Sequence, residues 1–72
     1  MSETRQEYLE WCKKRALQYV DVGDFSNAVT SMLSDMDKHP ETKVNQFIAQ
    51  IGLLYLMQGQ FHEIRNWIEG FR

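Results

Sequence analysis

Two short segments constrain this chain more than anything else in it: VGDFSNAV, residues 22–29, and QGQFHEIR, residues 58–65. Each carries Gly-x-Phe, and the two stand 36 residues apart in a chain of 72. Under that shift Trp11 falls on Phe47, Cys12 on Ile48, Ala16 on Gly52, Leu17 on Leu53 and Tyr19 on Tyr55. Gly23 then falls on Gly59, Phe25 on Phe61, Ala28 on Ile64 and Met32 on Ile68. An ordered series of small residue, tyrosine, glycine, phenylalanine and aliphatic residue, met twice, reads as one structural unit used twice.

The periodicity makes that unit a helical hairpin. A first helix is expected over about residues 3–22, with Ser2 or Thr4 as N-cap and acidic residues in its first turn. Tyr8, Cys12, Ala16, Tyr19 and Val20 form its apolar stripe. Gly23 follows the last periodic residue, where a left-handed cap favours glycine. A second helix is expected over about residues 26–38, with Ala28, Val29, Met32, Leu33 and Met36 on one face, and Pro40 stops it. HPETKVN, holding the single proline, is the linker. A third helix over about 44–58 is apolar nearly all round, which predicts a central position with neighbours on more than one side. Gly59 ends it, and a short fourth helix over about 62–69 buries Ile64, Trp67 and Ile68. No segment alternates as a strand does. The expected fold is all-α: one domain over residues 1–72, built as two stacked hairpins of about 3–39 and 44–70.

On these residues the chain resembles the tetratricopeptide repeat. Ala16, Tyr19, Gly23, Phe25, Ala28 and Pro40 match that pattern in the first copy, and Gly52, Tyr55, Gly59, Phe61 and Ile64 in the second. The resemblance implies stacked hairpins whose first helices line a concave binding surface. Arg15 departs from it where leucine is usual, and Asp35 stands at a position usually small and buried. YLEWCKKRALQYVDVGD, SMLSDMDKHPET and the closing IEGF are in addition similar to small uncharacterised bacteriophage-encoded proteins. That similarity implies a viral protein working in the host cytoplasm and no particular activity.

Bulk properties narrow the function classes. A net charge of -2 gives no broad attraction to nucleic acid or anionic membrane. The single cysteine forbids an intramolecular disulfide and fits a reducing, cytoplasmic setting. Met1 leads into charged SETRQEYLE rather than a basic and then apolar leader. The most apolar run, residues 47–57, is well short of the roughly 20 residues that span a bilayer. A soluble chain without a membrane role is expected.

Catalytic chemistry has little to stand on. Cys12 lies on an apolar stripe, where a thiol acts as a small hydrophobe. His39 and His62 show no ligand or nucleophile spacing. No catalytic residue, metal, cofactor or small-molecule substrate is expected, so the chain reads as a non-enzyme. The expected function is a protein-interaction module that binds another protein or a second copy of itself, and the phage similarity implies binding or inhibiting a host protein, a defence or transcription component. Lys13, Lys14, Leu17, Ala49, Leu53, Leu56 and Met57, on the first and third helices, are the expected partner-binding residues. A carboxylate clamp is disfavoured because Leu17 and Leu53 stand where its asparagines would be. Trp11 and Trp67 are read as core. The alternative is a nucleic-acid accessory factor using the basic run Lys13, Lys14 and Arg15, against which the slightly acidic balance weighs.

Overall fold

Thr4 starts the first helix by a reciprocal cap. In the computed structural model, which describes residues 4–72, its hydroxyl accepts from the Glu7 N–H at 3.1 Å, and the Glu7 carboxylate accepts from the Thr4 N–H at 3.2 Å. Helix α1 then runs Arg5–Asp21, and α2 runs Phe25–Asp37. A single 3-10 turn, Pro40–Thr42, interrupts the linker, followed by α3, Gln46–Met57, and α4, Phe61–Glu69. Over the described residues the fold is all-α, four helices as two hairpins. Ser2 and Glu3, an expected cap and the expected first helical residue, lie outside the described residues.

Both hairpins turn by the same backbone device. In the first, the Asp24 N–H donates to the Tyr19 carbonyl at 2.9 Å and the Gly23 N–H to the Val20 carbonyl at 3.0 Å. In the second, the Gln60 N–H donates to the Tyr55 carbonyl at 2.9 Å and the Gly59 N–H to the Leu56 carbonyl at 3.3 Å. This pair of bonds closes a helix only when the residue after the cap takes a left-handed conformation. Gly23 and Gly59 do so, with φ of 77° and 70°. Each turn leads into a phenylalanine at the first helical position, and the Phe25 and Phe61 rings stack with centroids 4.3 Å apart and planes 9° from parallel. The repeated Gly-x-Phe therefore sets both hairpin tips side by side.

One difference between the two turns yields an expected result. Asp24 caps α2, its carboxylate accepting from the Asn27 N–H at 3.2 Å, whereas Gln60, in a nearly identical backbone conformation, makes no side-chain cap to α4. Gln60→Asp is expected to stabilise the protein by about 0.5 to 1 kcal/mol. Thermal unfolding followed by circular dichroism, with the midpoint rising by roughly 3 to 6 °C, is the check.

The core is assembled mainly on the first hairpin. Leu9, Cys12, Ala16 and Val20 of α1 meet Ala28, Val29, Met32 and Met36 of α2, and α4 adds Ile64 and Ile68. Leu9 is central to this cluster although the sequence stripe left it out. Helix α4 packs against both α1 and α2, while α3 packs against α2 and α4; among the described residues α1 and α3 do not touch. Two polar ties hold α4 to α1: Lys13 Nζ donates to the Glu69 carbonyl at 3.2 Å, and Arg65 pairs with Asp21 at 2.9 Å. Thr42 anchors the linker, its buried hydroxyl donating to the Met36 carbonyl at 2.8 Å.

The position of α3 corrects the expectation drawn from its composition. Gly52 is its single buried residue, so the helix is peripheral rather than central. The physical reason lies in α4. Its two isoleucines complete the core of the first hairpin, so α4 takes the inner place and α3 lies outside it. Close approach between them rests on Gly52, which lies against the Trp67 indole. That indole donates from Nε1 to the Ile48 carbonyl at 3.2 Å.

Candidate functional site

The residues expected to bind a partner are divided between two sides of the molecule. Lys13, Lys14 and Leu17 line a shallow groove with Glu10, Asp21 and Glu69, where α1 meets α4. Ala49, Leu53, Leu56 and Met57 lie on α3, which does not contact α1. A single face of the first and third helices is therefore not formed. The two elements occupy opposite corners of the bundle, with α2 and α4 between them.

Within α3 the expected set divides again. Leu56 is half-buried against the core, and Ala49 is half-buried beside Leu33 and Val44. Leu53 and Met57 face outward, 40% and 82% exposed. Two further residues belong with them: Phe47, 70% exposed, and Leu54, 49% exposed. Sequence reasoning missed both: Phe47 entered only as the counterpart of Trp11 in the repeat, and Leu54 was not singled out. A signal was present in the spacing. Phe47, Gln50, Leu54 and Met57 follow one another at three, four and three residues, which places them in one line along a helix.

Trp11 also departs from its expected place in the core. It is 42% exposed, lies against Tyr8 with ring centroids 5.6 Å apart, and carries the Arg15 guanidinium 5.4 Å above its ring. Trp67 does pack inward, edge-on to Phe71 at 5.0 Å.

The basic run is spent largely on the fold. Lys13 holds the end of α4, and Arg15 Nε lies 3.5 Å from Asp35 Oδ2. Lys14 alone of the three makes no hydrogen bond or ion pair among the described residues. Asp35, the other departure from the repeat pattern, is buried, and its second oxygen meets Lys38 Nζ at 3.2 Å. The two departures are thus partners of each other.

Several of the remaining polar groups also have structural uses. Arg5 donates to the Glu41 carbonyl at 3.0 Å and the Arg72 carbonyl at 2.8 Å, drawing the linker and the closing residues onto α1. His39 stands edge-on to Tyr8 at 4.3 Å, and His62 is exposed on the first turn of α4. Cys12 is fully buried in the core. Among the described residues no three His, Cys, Asp or Glu side chains are grouped to hold a metal ion, and no helix is long and apolar enough to cross a membrane. The chain matches no family model, no curated protein and no solved structure.

Proposed function

We propose that this protein is a non-enzymatic interaction module that works by binding protein through the outer face of α3. The observation carrying this reading is that face itself: Phe47, Leu53, Leu54 and Met57 are all substantially exposed on one short helix. Their combined apolar surface is on the order of 500 Å², at the upper end of what a monomer shows as its largest patch, and such patches mark contact sites. Exposed leucine and methionine also suit a surface that adapts its packing to a partner. The resemblance of the sequence to bacteriophage-encoded proteins adds a host cell as the setting.

A double substitution, Leu53→Asp with Met57→Asp, tests the reading in affinity capture from host lysate. Met57 is 82% exposed and Leu53 40%, so the variant is expected to remain folded, which its melting curve checks. Proteins retained by the parent should be lost by the variant. Equal retention by the two would remove α3 from consideration.

A further inference from the structure

We propose that the outer seam of α3 packs against the same seam of a second copy of this chain, forming a two-fold dimer. The inference rests on the interaction reading above and names its partner. Three observations carry it.

The first is spacing. Phe47, Gln50, Leu54 and Met57 repeat at three, four and three residues, with Leu53 beside them. This is the alternation that lets the knobs of one helix enter the holes of another. The helix of 12 residues offers about 18 Å of such a seam.

The second is charge. A two-fold interface sets a surface patch against itself, so each charge on it faces a like charge unless the dyad offsets them. From Val44 to Phe61 the chain contains no Asp, Glu, Lys, Arg or His. The polar residues of the patch are Gln50 within the seam and Gln46 and Gln58 beside it. Each glutamine both donates and accepts, so two copies of the patch satisfy one another. A surface selecting a different protein ordinarily carries charges that steer and discriminate, and this one carries none.

The third is area. The exposed apolar side chains supply on the order of 500 Å² per copy, and the glutamines with the half-buried Ile51 bring a helix pair toward the roughly 800 Å² per partner of a standard interface. That size fits a reversible dimer, and a chain of 72 residues is of the size for which self-association is a common remedy for a small core.

Sedimentation equilibrium of the full chain, from about 1 to 500 μM, tests the proposal across the range expected of an interface at the lower size limit. The mass should rise with concentration from 8.6 kDa toward twice that value. Leu54→Asp should remain at the monomer mass throughout and, because Leu54 is half-exposed, should melt as the parent does at concentrations where the parent is monomeric. Leu54→Lys should do the same, and an equimolar mixture of the two should recover the dimer mass by pairing opposite charges. Parent protein that stays monomeric overturns the proposal, as does a dimer whose mass is unaffected by Leu54→Asp. The interaction reading fails separately. A monomeric parent whose α3 variants still lose a captured protein overturns only the dimer, whereas a monomeric parent with capture unaffected by those variants overturns both.

Discussion

Gly52→Ala is expected to destabilise the protein by about 2 kcal/mol, although the same change inside an exposed helix is normally stabilising by about 1 kcal/mol. The reversal comes from the α3–α4 contact. A methyl group on Gly52 would lie 2.5 Å from Trp67 Cζ2 and 2.7 Å from both Cε2 and Cη2. The indole has little room to yield. Its Nε1 is hydrogen-bonded to the Ile48 carbonyl one turn before Gly52, and its ring stands at 75° to that of Phe71 with centroids 5.0 Å apart. Moving the whole of α4 would pull the fully buried Ile64 and Ile68 out of the core. Thermal unfolding should show a midpoint lowered by roughly 10 °C. Gly52→Ala combined with Trp67→Leu should lose less than the sum of the two single changes, because removing the ring removes the collision. A midpoint raised by Gly52→Ala would mean that helix propensity outweighs the contact and that α3 and α4 are not pressed together there.

Arg15→Leu, the change that restores the repeat pattern at that position, is expected to cost about 2 kcal/mol when made alone. Asp35 is buried, with 3% of its side chain exposed, and Arg15 and Lys38 are its two cationic neighbours. The Ser31 hydroxyl donates to the same carboxylate at 3.5 Å. Taking away Arg15 leaves a buried carboxylate with one cation in place of two. The cost is below the 3 to 5 kcal/mol typical of a fully stripped buried charge because Lys38 remains. Asp35→Ala should cost less, about 1 kcal/mol, since Arg15 and Lys38 are both partly exposed and water can solvate them. The double variant Arg15→Leu with Asp35→Ala should lose only about 1 to 2 kcal/mol rather than the sum of about 3, a coupling of about 1 to 2 kcal/mol in a double-mutant cycle from urea unfolding. Additive losses would show that the two side chains contribute independently.

These two results concern features that differ in how far they could be read beforehand. Gly52 was legible as a small residue matching Ala16, and close helix approach is what a small residue permits. That Trp67 is the group approaching it was not legible, because Trp67 has no counterpart in the 36-residue series other than Ser31. Arg15 and Asp35 each looked like a departure from the pattern. Their pairing joins residues on different helices, and nothing in either local stretch announces it. Leu9 was missed for a similar reason. It is offset by one from Tyr8, and only the packing of α1 on α2 decides which of two adjacent apolar residues points to the centre. The candidate site was legible in kind but not in place. Exposed apolar residues on the third helix were expected, yet the expectation joined them to Lys13, Lys14 and Leu17 on α1, which lie on another side of the bundle.

What the amino-acid order determined by itself is local: four helices, their caps, and two turns built around Gly23 and Gly59. Those features depend on hydrogen bonds and sterics within about six residues, so the information for them lies in a short window. What only the tertiary structure decided is which helix lies inside. An amphipathic helix such as α4 declares the side it buries, but a helix apolar nearly all round declares no side at all. The direction α3 faces was settled by competition, when Ile64 and Ile68 completed the core of the first hairpin and left Phe47, Leu54 and Met57 on the outside.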